Sequence, residues 1–196
     1  IKSIICSSQK NATSRKASIK EKNLTLEERN LKITLAYDGS AFCGFQLQPS
    51  LPTVQGFLEK SLKLILGEKV RVIGSGRTDT GVHACGQVAS VRIKSPIPVD
   101  KLKLALNRSL PGAIHIRSIE EVESEFNARF SVKSKLYRYL IHEVDEFSPF
   151  LARFFCQQVG KLDLKRMQIG AAKFVGEHDF SAFTKSPARL ESTVRN

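Results

Sequence analysis

Asp79 sits in the run GSGRTDTGVHA, residues 74–84, with Arg77 before it, Thr78 and Thr80 beside it, and glycines at 74, 76 and 81. The chain carries 31 Lys and Arg against 19 Asp and Glu, so a carboxylate at the centre of this turn needs a reason. The glycines permit positive φ and close approach of a ligand to the backbone. The threonine hydroxyls can fix the turn or touch a sugar-phosphate. Asp79 itself has two readings. Its carboxylate can accept local backbone N–H groups, as in an Asx turn. Alternatively Arg77 contacts phosphate or base and leaves Asp79 to address a substrate carbon.

Other chemistries fit the turn less well. GSGRTDTG lacks the Gly-Lys-Ser/Thr ending of a triphosphate loop and leads into a strand, so its glycines do not open a helix onto phosphate. A metal role needs converging carboxylates, whereas Asp38, Asp79 and Asp100 are far apart in sequence, and His83 with Cys85 does not make a zinc set. Cys6, Cys43, Cys85 and Cys156 include no C-x-x-C pair and read as reduced thiols. No metal is expected. In GEHDFSAF (176–183) the expectation is structural, with Asp179 bracing a turn beside His178 and with Phe180 and Phe183 packing inward. His115 and His142, each in a strand candidate, read as local structure.

The elements that must hold the turn follow from periodicity. Leu31, Ile33, Leu35 and Tyr37 alternate toward Asp38-Gly39, which predicts a strand ending in a turn. Val54, Phe57, Leu58, Leu62, Ile65 and Leu66 recur at helical intervals behind a Thr53 cap. Residues 69–74 and 86–93 read as strands, which makes the Asp79 turn the connection between them. Asp100 is expected to cap a helix carrying Leu102, Ala105, Leu106 and Leu110, stopped by Pro111-Gly112, before a strand over 113–122. This order predicts an α+β, ferredoxin-like or RNA-recognition-type sheet with helices on one face. A second unit of the same kind is expected to begin with a strand over 135–144, with a short element in 153–159 and an Asp163-capped helix carrying Leu164, Met167, Ala171 and Phe174. The domains are therefore placed at 28–125 and 126–196, behind a basic N-terminal extension over 1–27. That extension reads as a polar tail, a nucleic-acid arm or the remnant of an organelle-targeting segment. The second unit offers too few elements to cover a sheet, so the expectation is the first part of a lobe that continues past Asn196 or is completed by another subunit.

A formal charge of +12 favours a polyanionic partner, nucleic acid foremost. Composition alone leaves an anionic membrane surface open. No apolar run approaches the roughly 18–20 residues that span a bilayer, and the expectation is a soluble cytoplasmic protein.

Six segments in order carry a resemblance: AYDGSAFCGFQLQP (36–49), TVQGFLEKSL (53–62), GSGRTDTGVHACGQV (74–88), LNRSLP (106–111), FNARFSVKSKLYRYLI (126–141) and GEHDFSAF (176–183). Together they resemble the bacterial-type tRNA pseudouridine synthase A family over about residues 31–196. The resemblance implies the pseudouridine synthase fold and an isomerase that converts uridine to pseudouridine at positions 38, 39 and 40 of the tRNA anticodon stem-loop. It implies a homodimer without metal or organic cofactor, with tRNA across a basic cleft. The family's essential aspartate falls on Asp79, its intruding arginine on Arg77, and the tyrosine that packs on the target base on Tyr137. Arg71, Arg92, Lys133, Lys135 and Arg138 are candidates for RNA backbone contacts. A uridine in a stem must be extruded before its glycosidic bond is reachable, and an arginine wedge with an aromatic platform suits that step.

The sequence departs from the family pattern at three places. Phe45 stands where the family commonly has tryptophan, and Asn127 where it has histidine. The later segment whose arginine pairs with the aspartate has no counterpart, since TVRN (193–196) matches an earlier family segment, so Arg195 is not given that role. A noncatalytic structured-RNA-binding module on the same scaffold is the alternative reading, and a metal-dependent nuclease a third.

Overall fold

A strand that covers one face of a sheet alternates apolar and polar side chains. The computed structural model describes residues 27–184 and 192–195, and in it β1 (Arg29–Tyr37) buries Leu31, Ile33, Leu35 and Tyr37 while Lys32, Thr34 and Ala36 stay half-exposed on the other face. The basic extension is, up to residue 26, outside the described residues, and so is Cys6.

Helix α1 (Val54–Leu66) starts where Thr53 accepts the Gly56 N–H at 3.2 Å, and it buries Val54, Leu58 and Leu62. Each such leucine contributes about 1.5–3 kcal/mol of burial free energy. The strand expected over 69–74 is reduced to β2 (Ile73–Gly74). The reason is a competing set of bonds: Val72 N–H donates to the Glu59 carboxylate at 2.9 Å, and its carbonyl accepts from the Gln55 amide at 3.1 Å. The backbone ahead of Ile73 is thus tied to α1 side chains instead of a neighbouring strand.

After β3 (Ala84–Ile93), helix α2 (Val99–Ser109) begins two residues earlier than a cap at Asp100 implies. Pro98 occupies the cap position with no side-chain bond, and Asp100 lies in the first turn, where its charge faces the positive end of the helix dipole. Strand β4 (Ile114–Val122) completes a sheet of order β2-β3-β1-β4 with every neighbouring pair antiparallel. That is the ferredoxin-like α+β arrangement. Leu58, Leu62, Leu102 and Leu106 from the two helices join Leu31, Ile33, Val91, Ile93 and Ile116 in one core, so both helices cover the same face.

The chain after β4 turns back over the opposite face. The buried Asn30 amide donates to the carbonyls of Glu123 and Phe126 at 2.9 and 2.8 Å, and Ala128 N–H donates to the Ser90 hydroxyl at 3.1 Å. The first compact unit runs to Val132.

The second unit begins at Lys133. It pairs β5 (Ile141–Val144) in parallel with β6 (Cys156–Val159), adds α3 (Leu164–Ala172), and pairs β7 (His178–Asp179) with β8 (Val194–Arg195). The strand expected over 135–144 is thus only its last four residues, because pairing with the 156–159 segment starts where Cys156 N–H meets the Leu140 carbonyl at 2.8 Å. Residues 133–140 are all exposed. Asp163 caps α3 through Arg166 N–H at 2.9 Å, as its position predicts. Asp179 braces its turn, accepting from Ser181 N–H at 2.9 Å and the Thr193 hydroxyl at 2.5 Å. Phe180 and Phe183 do not pack into a core, contrary to expectation. Their rings lie 6.2 and 5.6 Å from that of Phe174, and Phe183 remains 72% exposed. None of the described residues of this unit is buried.

Candidate active site

The loop that joins β2 to β3 is held at its base by Ser75 and Gly76. Ser75 N–H donates to the Val88 carbonyl at 2.8 Å, its hydroxyl bonds Gln87 at 2.8 Å, and the Gln87 amide donates to the Gly76 carbonyl at 2.7 Å. Higher up, Thr78 is gripped twice: its carbonyl accepts Phe45 N–H at 3.0 Å, and its hydroxyl lies 2.8 Å from that of Tyr37. On the far side His83 Nδ1 accepts Gly39 N–H at 3.2 Å and lies 3.2 Å from the Asp38 carboxylate.

Asp79 stands between these anchors. Its carbonyl closes the turn by accepting Val82 N–H at 3.2 Å, with Gly81 taking a φ of +82° that L side chains rarely adopt. The carboxylate, however, has no hydrogen-bond or ion-pair partner among the described residues, and the side chain is exposed. In this respect it differs from Asp38, Asp163 and Asp179, whose carboxylates bond N–H groups of their own turns at Ser40, Arg166 and Ser181. The Asx-turn reading of Asp79 therefore fails on geometry, and the carboxylate is available to a ligand.

Asp79 and Arg77 line one open depression of about 490 Å³, together with Thr78, Thr80 and the segment Cys43, Gly44, Gln46, Leu47 and Gln48. That volume lies within the range of small-molecule sites. The wall from 43–48 was not assigned to the site from sequence, and only folding brings it there. Gly44 makes the approach possible, since a Cβ on it would stand 2.7 Å from the Thr78 carbonyl oxygen at a φ of +86°. Gly39 allows a similar approach, with an added Cβ 2.0 Å from the Val82 carbonyl oxygen.

Within the first unit, Arg71, Arg92 and Asn127 lie outside this depression. Arg71 and Arg92 line a separate depression of about 480 Å³ that also holds Lys69, Lys94 and three carboxylates, Glu28, Glu68 and Glu125. Arg92 is paired with Glu28 at 3.2 Å. Asn127 caps a local turn, its amide oxygen accepting Arg129 N–H at 3.0 Å. Tyr137, Lys133, Lys135 and Arg138 belong to the exposed start of the second unit, with Tyr137 77% exposed. Phe45 offers no exposed aromatic surface. It is 2% exposed, 6.3 Å ring to ring from Tyr37, and fills the space that a side chain at Gly74 would need. Burial pushes the Tyr37 phenol above its ordinary range, against the opposing pull of its bonds to Thr78 and Gln87.

Among the described residues no group of three or more His, Cys, Asp or Glu gathers to hold a metal ion, and no helix is long and apolar enough to cross a membrane. Residues 33–131 match the family model described as tRNA pseudouridine synthase. The chain is 45% identical over 168 residues to tRNA pseudouridine synthase A of Caldicellulosiruptor saccharolyticus, covering 85% of this chain and 68% of that protein. It is 46% identical to the Brevibacillus brevis protein of the same name over 167 residues, with the same coverage. With the Solibacter usitatus protein of that name it shares 47% identity over 161 residues, covering 82% of this chain and 67% of that one. A sheet of ferredoxin-like order, an aspartate held up by its turn with its carboxylate unbonded, and these matches lead to one conclusion: the chain belongs to the tRNA pseudouridine synthase family.

Proposed function

We propose that this protein is an isomerase that converts uridines 38, 39 and 40 of the tRNA anticodon stem-loop to pseudouridine, with Asp79 as its catalytic carboxylate. The observation that carries this reading is the exposed and unbonded Asp79 side chain in a depression shared with Arg77. In the reaction the C1'–N1 bond breaks, the base turns, C5 joins C1', the C5 proton leaves and N1 gains a proton. No atom is gained or lost overall, so neither an oxidant nor a group donor is required. Asp79 serves either by attacking uracil C6 or by assisting departure of the base from C1'. Arg77 holds the place of the extruded nucleotide, and Tyr137 is the aromatic residue for the target base, a role carried over from the family resemblance alone. Arg71, Arg92, Lys133, Lys135 and Arg138 are proposed phosphate contacts in a homodimer whose domains are those placed from the sequence.

The test is release of tritium from tRNA labelled at uridine C5, run with the full-length protein in EDTA. Pseudouridine mapped to the three positions supports the proposal. RNA binding without tritium release favours the noncatalytic module, to which Asn127 at the family's histidine position also points. Strand scission that needs added Mg²⁺ would indicate a nuclease.

A further inference from the structure

Strand β1 keeps its period of two as far as Tyr37, and the irregularity at its end lies in the neighbouring β3. Leu35 pairs with Gln87 but Tyr37 pairs with Ala84, so β3 carries one residue more than β1 across this step. Here the phenol of Tyr37 is 5% exposed, and its hydroxyl lies 2.8 Å from the Thr78 hydroxyl, directly before Asp79. Thr78 is also bonded through its carbonyl to Phe45, whose ring packs on Tyr37. The approach of the chain to Asp79 is thus fixed from the core by one main-chain bond and one side-chain bond, while the exit is fixed by Val82 and His83. Among the described residues the Asp79 side chain has no bond that holds its position, so its placement depends on these neighbours.

We propose that Tyr37 is a positioning residue for Asp79, its buried hydroxyl fixing Thr78 and through it the place of the reacting carboxylate. The inference rests on the isomerase reading above. Tyr37 does not line the depression. Across the 2.8 Å contact either the Tyr37 or the Thr78 hydroxyl can donate.

The test compares Tyr37→Phe, Thr78→Val and the double variant in the full-length protein. Tyr37→Phe should lower kcat about tenfold, the rate equivalent of one well-made buried hydrogen bond, with KM for tRNA within about twofold. Because both single changes break the same bond, their effects on kcat should not multiply, and the double variant should match the slower single. Its melting temperature should recover toward wild type, since replacing both partners leaves no orphaned hydroxyl. Amide exchange over residues 75–83 should quicken in all three variants. A Tyr37→Phe protein with wild-type kcat, losses that multiply, a loss confined to KM, or unchanged exchange over 75–83 would each overturn the proposal. If the wild-type protein itself releases no tritium, the isomerase reading falls, and exchange over 75–83 then decides alone whether Tyr37 holds the loop.

Discussion

The Asp79 carbonyl accepts Val82 N–H at 3.2 Å while the carboxylate of the same residue is left unbonded among the described residues. The turn is therefore closed by main chain, and the side chain can be altered without opening it. Asp79→Asn should abolish tritium release from tRNA while leaving tRNA affinity and melting temperature near wild type. A variant that kept its activity, measured on protein free of wild-type enzyme, would remove Asp79 from the mechanism.

Gly44 and Gly81 both occupy positive φ, at +86° and +82°, but only Gly44 faces a wall, with the Thr78 carbonyl 2.7 Å from an added Cβ. Gly81→Ala should cost about 1–2 kcal/mol of stability from the backbone conformation alone. Gly44→Ala should cost more and should also reduce kcat, because the clash falls on the residue before Asp79. Urea denaturation of both variants checks the order, and equal midpoints would contradict it.

Arg71 and Arg92 line the same depression, yet Arg92 is paired with Glu28 at 3.2 Å and donates to the Ser124 carbonyl at 2.8 Å. A residue that neutralises a phosphate contributes about one unit to the slope of log K against log salt. Arg71→Ala should therefore flatten that slope by about one, and Arg92→Ala by less. Fluorescence titrations with tRNA across a salt series give both slopes, and an unchanged slope for Arg71→Ala would remove it from the RNA contact.

The Tyr37 phenol titrates above its ordinary value of about 10 because it is buried. Above that pH the unfolded chain releases this proton and the native state keeps it, so the native state binds more protons and its stability falls as pH rises. The contribution is complete below about pH 10 and is lost as the pH climbs toward the folded value. Tyr37→Phe should show a shallower loss of stability over the same alkaline range. Identical slopes for the two proteins would mean that the native state does not hold the proton.

Much of the first unit is legible from residue order because its strands obey period two and its helices a period near 3.6. Leu31 to Tyr37 and the stripe from Val54 to Leu66 each admit one regular structure. Local signals misled where a competing bond was invisible. Val72 looked like strand, but Glu59 and Gln55 take its backbone groups. Asp100 looked like a cap, but the preceding Pro98 and Val99 already accommodate the helix start. Residues 135–140 have strand-like composition, yet a strand exists only where a partner backbone meets it, and pairing begins at Leu140.

Sequence by itself determined the element order, the ferredoxin-like class, the placing of GSGRTDTG between two strands and the family to which the chain belongs. Those follow from side-chain periodicity and from the types and spacing of residues along the chain. Tertiary structure alone decided what the Asp79 carboxylate does not bond to, that the 43–48 segment forms the other wall of its depression, and that Tyr37 reaches Thr78 from the core. Hydrogen bonds and steric fit depend on the positions of atoms distant in sequence, 41 residues apart for Tyr37 and Thr78, and no local pattern encodes such a distance.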